Sequence, residues 1–166
     1  MVKMNKIILL NLIIRERKIA MKVKDYMCDD VVYLMPEATI QDCAKLMENN
    51  HIGCIPICDT SKKILGIVTD RDVILRSIAC DKDAKTTPVK DIMTTNVCYC
   101  KETDEINNAQ NIMSNEQIRR LPVVNDKNEI VGIITLGNLC MCKDINSENV
   151  SKTLENICNC SRKNAE

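Results

Sequence analysis

Gly66-Ile67-Val68-Thr69-Asp70-Arg71-Asp72 is answered 66 residues later by Gly132-Ile133-Ile134-Thr135-Leu136-Gly137-Asn138. The correspondence runs back without a gap. Residues 23–73 align with residues 89–139, and 15 of these 51 positions are identical. The identities include Val23/Val89, Asp25/Asp91, Met27/Met93, Ile40/Ile106, Met47/Met113 and Pro56/Pro122. A gapless repeat of this length predicts two copies of one small fold. Units of roughly 50 residues bury too little surface to stand comfortably alone, so such copies stack on each other. Stacking creates a pseudo-two-fold interface with an equivalent cleft on either side, and function is expected in those clefts.

Each copy has the same internal order. A short turn (residues 23–27 or 89–93) leads into an extended run (31–34 or 97–100) and a polar break. Ile40, Cys43, Ala44 and Met47 then fall on one helix face, as do Ile106, Ala109, Gln110 and Met113. Thr39 is placed to cap the first of these helices. Two apolar strands follow, 55–58 and 64–69 or 121–124 and 130–135, joined by polar turns as hairpins. A second helix starts near Asp70 or Leu136. The fold class is therefore mixed α/β (α+β): two pseudo-symmetric repeats, each strand-helix-strand-strand-helix, stacked through their sheets. The boundaries are an N-terminal extension (1–21), a first repeat (22–80), a linker closed by Pro88 (81–88), a second repeat (89–142) and a tail (143–166). In the tail, Ser147 caps a short helix whose Val150, Leu154 and Ile157 stripe is expected to dock on the core.

The apolar run at residues 7–14 is far shorter than the roughly 20 residues a membrane-spanning helix needs. Arg15-Glu16-Arg17-Lys18 follows it with no small-residue cleavage pattern. The preferred reading is that translation begins at Met21. No stable membrane insertion is expected.

Composition narrows the function. The formal net charge is zero, so no global field attracts nucleic acid or an anionic membrane. Trp and Phe are absent and three tyrosines are the only aromatics, which leaves no stacking platform for bases. Eleven cysteines are present. Cys43, Cys58, Cys98 and Cys100 align with Ala109, Val124, Val32 and Leu34, as small buried hydrophobes would. Reduced thiols and a cytoplasmic setting follow as expectations. Cys140-x-Cys142 and Cys158-x-Cys160 flank the tail helix and support an alternative, a metal-binding or redox-responsive protein. Zinc sites more usually place two to four residues between paired cysteines, so no metal site is assigned. The single histidine, His51, sits at a helix end and reads as a surface or capping residue. Without a nucleophile–base pair or a phosphate-binding glycine loop, no catalytic residues are assigned and the chain is not read as an enzyme.

The Val-Lys-Asp-x-Met openings, the Ile55-Pro56-Ile57 and Leu121-Pro122-Val123 strands, and Gly66–Asp72 occur in order and in register. Over residues 21–141 the chain resembles a CBS domain pair, or Bateman module. The resemblance implies a stand-alone regulatory module that binds an adenine nucleotide or other adenosyl ligand (AMP, ADP, ATP or S-adenosylmethionine) between its repeats and pairs as a homodimer, with no cofactor required. It also implies site residues. The first cleft takes Ile67, Thr69 and Asp72 from one repeat and Ala109, Ile118, Arg119 and Arg120 from the other. Asp72 suits vicinal ribose hydroxyls, the arginine fork suits phosphate, and Ile67 and Ile118 sandwich the base. The simpler reading of the first pair is that Thr69 caps a helix and Asp72 favours its first turn. The second cleft takes Cys43, Ile52, Gly53, Cys54, Thr135 and Asn138. Here Asn138 replaces the acid, and Gly53 and Cys54 replace the arginines. The two clefts are expected to be unequal, the second binding weakly, binding something uncharged, or staying empty. A third reading is a structural dimerisation unit with vestigial clefts.

Overall fold

Two β-hairpins anchor the two repeats. In the first, β1 (Cys54–Cys58) pairs antiparallel with β2 (Ile64–Thr69). In the second, β3 (Cys100–Lys101) lies parallel to β4 (Arg120–Val124), which pairs antiparallel with β5 (Ile130–Thr135). The structure is a computed structural model that describes residues 21–142, 145 and 147–163. The apolar run at residues 7–14 lies outside these.

The hairpin turns are set by their first side chain. Asp59 Oδ1 accepts from the Ser61 and Lys63 N–H groups at 2.8 and 2.9 Å, and Asn125 Oδ1 accepts from Lys127 and Glu129 at 2.9 and 3.0 Å. Each turn closes through a left-handed residue, Lys62 (φ 60) or Asn128 (φ 61). Helices α1 (Ile40–Asn50) and α3 (Ile106–Glu116) back the hairpins, while α2 (Asp70–Arg76) and α4 (Leu136–Met141) follow β2 and β5 directly. Thr39 caps α1 as its position predicts: the Asp42 N–H donates to Thr39 Oγ1 at 3.1 Å, and Asp42 Oδ2 accepts from the Thr39 N–H at 3.1 Å. The tail helix, α5 (Ser147–Lys163), is longer than the short helix expected. It docks on the second repeat through Val150 and Ile157, and Asn156 Nδ2 donates to Ser114 Oγ at 2.8 Å. Leu154, the third residue of the stripe, stays 43% exposed.

The core is divided in a way the repeat does not announce. Val23, from the opening turn of the first repeat, is fully buried among Cys100, Ile106, Met113, Leu121 and Val123 of the second. Val89 and Ile92, from the opening of the second, are buried among Ile40, Met47, Ile55 and Ile57 of the first. Hydrogen bonds follow the same exchange. The Val23 N–H donates to Asp104 O at 2.9 Å, and the Val89 N–H donates to Ala38 O at 2.8 Å. Cys28 pairs with Ile133 on β5, and Thr94 with Ile67 on β2. The chain then returns to its own repeat, where Leu34 bonds to β1 and Cys100 to β4. Residues 29–33 and 95–99 are thus crossings between the two cores, and no strand forms in 29–33 or 95–99, where most of each extended run was expected.

Glycine permits the exchange. A Cβ on Gly132 would lie 2.6 Å from Met27 Sδ and 2.8 Å from the Cys28 carbonyl oxygen. A Cβ on Gly66 would collide with the Met93 sulfur and lie 3.1 Å from Thr94 O. Each opening segment therefore lies flat across the partner repeat's hairpin at a position only glycine vacates.

Truncating Val23→Ala is expected to cost about 1–3 kcal/mol and to loosen the second repeat. Hydrogen exchange in the variant should rise along β4 and β5 and not along β1 and β2; the reverse pattern would place Val23 in its own repeat.

Candidate ligand-binding clefts

The two crossings leave a cavity on each side of the interface. The first, about 310 Å³, is walled by Ile67, Thr69 and Asp72 of the first repeat and by Thr94, Asn96, Val97, Cys98, Glu116, Ile118, Arg119, Arg120 and Pro122 of the second, with Cys54 at its border. The second, about 400 Å³, is walled by Ile133 and Thr135 of the second repeat and by Cys28, Asp30, Val31, Val32, Asn50, His51, Ile52, Gly53 and Cys54 of the first, with Arg120 at its border. The 66-residue offset maps one wall onto the other, Thr94 to Cys28, Asn96 to Asp30, Ile118 to Ile52 and Thr69 to Thr135.

Six of the seven residues assigned to the first cleft meet in one cavity. Ala109 does not: it is 0% exposed in the core of the second repeat, on the inward face of α3. Its counterpart Cys43 is buried on α1 in the same way and does not line the second cleft. The helix face that fills a core cannot also face the interface. Ile52, Gly53, Cys54 and Thr135 line the second cleft, whereas Asn138 does not. His51 caps α1 in a left-handed conformation (φ 54), is exposed, and also borders the second cleft. Sequence reasoning passed over Thr94 and Asn96, which sit in a polar stretch without periodicity, and Glu116, the last residue of α3. The repeat offset from Cys28, Asp30 and Asn50 offers no chemical hint of them either.

Asp72 is positioned by the start of α2. Its Oδ2 accepts from the Thr69 N–H and Oγ1–H at 2.9 and 2.7 Å, and its own N–H donates to Thr69 Oγ1 at 3.2 Å. The capping role and the cleft position therefore coexist. Oδ1 is left to an Arg76 guanidinium at 3.4 Å, a long contact in which Arg76 is half-exposed and Asp72 is 15% exposed. Arg76 also donates to Ile92 O and Thr94 Oγ1 at 2.9 and 3.0 Å, which ties α2 to the exchanged segment. Asn138 builds the same cap, with its Oδ1 accepting from Thr135 N–H and Oγ1–H at 2.9 and 2.6 Å. That uses its one oxygen. The amide has only an NH2 left to offer, so Asn138 has no counterpart to the second oxygen of Asp72.

Arg119 and Arg120 face Asp72 across the first cavity. Among the described residues neither guanidinium has a hydrogen bond or an ion pair. Arg120 is half-buried at the start of β4. A half-buried guanidinium without a partner is suited to an incoming anion.

Comparison with known proteins decides the family. The CBS domain family matches residues 23–78 and 89–142. The chain is a CBS domain pair. The CBS domain-containing protein YhcV of Bacillus subtilis is 37% identical over 135 residues, 81% of this chain and 94% of that one. Among solved structures, the CBS domain pair of protein MJ0100 in complex with 5′-methylthioadenosine and S-adenosyl-L-methionine is 28% identical, with a TM-score of 0.64, and the match covers 81% of this chain and 96% of that one. The Hypoxic Response Protein I structure, with two coordinated zinc ions, is 27% identical, with a TM-score of 0.67 over 72% of this chain and 96% of that one. In this CBS pair no group of three or more His, Cys, Asp or Glu is gathered for a metal among the described residues. The side chain of Cys160, one of the four tail cysteines, lies outside them. Among the described residues no helix is long and apolar enough to cross a membrane.

Among the described cysteines, Cys28, Cys43, Cys54, Cys58, Cys80, Cys98, Cys100, Cys140 and Cys158 are free thiols. Cys43, Cys58 and Cys100 are buried like the apolar residues they align with, whereas Cys98 is only half-buried, on the wall of the first cleft. Burial pushes Cys43, Cys54 and Cys58 up from 9.0 to about 11, and Cys100 to about 12. At Cys54, Arg120 pulls the other way while Asp70 and Asp72 add to the rise. These folded values lie above the unfolded one. Their stabilising contribution is therefore complete below pH 9 and is lost as pH rises through about 11.

Alkylation of the native protein with iodoacetamide near pH 8 should modify Cys28, Cys80, Cys140 and Cys158 and spare Cys43, Cys54, Cys58 and Cys100. Peptide mass mapping reads the pattern; Cys54 labelling as fast as Cys28 would contradict the burial of Cys54, which is 3% exposed.

Proposed function

We propose that this CBS pair is a regulatory sensor that binds a phosphorylated adenosine compound, AMP, ADP or ATP, in the first cleft. The observation that carries this reading is the pairing, across one cavity of about 310 Å³, of the unpartnered guanidiniums of Arg119 and Arg120 with the Asp72 carboxylate. The arginines suit phosphate through a planar donor fork. Asp72 Oδ1 suits a ribose hydroxyl once the long Arg76 contact gives way. Ile67 and Ile118 offer aliphatic walls for the base, and Thr69 holds the carboxylate in place. The adenosyl compounds named with the MJ0100 pair support an adenosyl ligand, and they keep S-adenosylmethionine in contention. Signalling follows from population shift: a ligand touching both repeats favours whichever mutual arrangement it fits better. The free thiols fit a reducing, cytoplasmic setting. Cys98 and Glu116 meet on the first wall, where burial and the Glu116 carboxylate push the Cys98 thiol up rather than activate it, and regulation rather than catalysis is the reading the walls favour.

The proposed assembly is a homodimer through α2. Helix α5 covers α4 in the second repeat and buries Leu136 and Leu139, whereas α2, the counterpart of α4, has no buried residue. Ile74 and Leu75 on α2 and the adjacent Ile78 are 54%, 46% and 68% exposed. A second copy would cover this face. Sedimentation should give a dimer for the parent chain and a monomer for Ile78→Lys; a monomeric parent chain would remove the proposal.

For the ligand, thermal unfolding is the direct test. AMP, ADP, ATP or S-adenosylmethionine at about 100 times its dissociation constant should stabilise by about 2.7 kcal/mol, on the order of 5–10 °C in Tm for a chain of this size. Asp72→Ala and Arg120→Ala should each weaken binding by about tenfold or more. If none of the four compounds moves Tm, the clefts are vestigial and the dimerisation reading replaces this one.

A further inference from the structure

Arg120 borders both cavities, whereas of these two Arg119 borders only the first; both arginines also line a more open hollow at the start of α4, with Thr135 and Leu136. At the equivalent positions the first repeat offers Cys54 and Gly53, neither of which carries charge. His51 apart, the second cleft has no other basic residue on its wall, and it carries the Asp30 carboxylate. Gly53 explains how one side chain reaches both sides: a Cβ there would lie 3.2 Å from Arg120 Nη2 and 2.6 Å from Asp70 Oδ2. Without that Cβ, the guanidinium can lie over the backbone between the cavities.

We infer that the two clefts compete for the Arg120 guanidinium, so that a phosphorylated ligand in the first makes the second select an adenosyl compound without phosphate. This rests on the ligand class proposed above. One guanidinium offers one planar fork, and a phosphate that takes it bidentately leaves few donors for another. A second phosphate beside the same group would meet a neutralised arginine and, at Asp30, a like charge. A nucleoside has no such conflict. The coupling is reciprocal, since linkage demands that each ligand change the other's affinity by the same factor.

Isoleucine methyl resonances separate the clefts, with Ile67 and Ile118 on the first and Ile52 and Ile133 on the second. The full chain is titrated with AMP and, separately, with adenosine, in the parent and in Asp72→Ala, which weakens the first cleft. The AMP dissociation constant read at Ile52 and Ile133 is expected to be about tenfold lower in Asp72→Ala than in the parent, and the adenosine constant there unchanged. Should Asp72→Ala disturb the α2 cap, Ile67→Trp closes the first cleft by bulk and predicts the same shift. If the first cleft fills with AMP in the parent and the second-cleft AMP constant is the same in parent and variant, competition is overturned and the proposed function stands. If AMP never reaches the second cleft of the variant, competition is overturned as well. Silence of all four methyls toward both compounds overturns the proposed function and this inference together.

Discussion

The close approach of each opening segment to a glycine on the opposite repeat is the contact on which the rest of the structure depends. Met27 crosses Gly132 and Met93 crosses Gly66, each within a distance that a Cβ would forbid. From there Val23 and Val89 reach cores they do not belong to in sequence. Because the chain must then return to its own hairpin, residues 29–33 and 95–99 span the gap between the cores. Those spans form the outer walls of the cavities: Val31 and Val32 on one side, Asn96, Val97 and Cys98 on the other. The clefts are therefore by-products of the exchange rather than hollows left by imperfect packing.

On this symmetric frame the chemistry is lopsided. Substitution of Asp by Asn at the α4 cap changes nothing in the cap itself, since one oxygen suffices to hold Thr135. What it removes is the second oxygen. Likewise Gly53 and Cys54 serve the β1 hairpin as well as Arg119 and Arg120 serve β4, while leaving the second cleft with no arginine of its own. The scaffold tolerates these changes because each lies where backbone geometry, not side-chain charge, holds the fold.

Much of this was legible from the chain alone. Thr39 and Thr69 mark helix starts by a mechanism that needs only local sequence; the structure adds the Thr135 cap and the Asp59 and Asn125 turns, which work in the same local way. The clustering of Ile67, Thr69 and Asp72 with Ile118, Arg119 and Arg120 also followed from the repeat and its family resemblance. The exchange did not. Both openings read Val-Lys-Asp-x-Met, so each suits either core, and nothing in the sequence says which it enters. Ala109 and Cys43 were misplaced for a related reason. Helical spacing identifies an apolar face but not whether that face meets a core or a cleft, and here the core takes both.

The exchange also orders events during synthesis. The first hairpin and α1 emerge before Val89 and Ile92, the residues that complete their core. The second core in turn waits for a segment made much earlier, because Val23 must be held unburied until Asp104 and β4 exist to receive it. Each repeat therefore completes its core only with a segment of the other. The contacts that finish each half span some 50–80 residues (Val89 to Ala38, Val23 to Asp104), and such long-range closure is slow. Each half thus gains its last core residues from the other, and the two depend on each other to finish their cores.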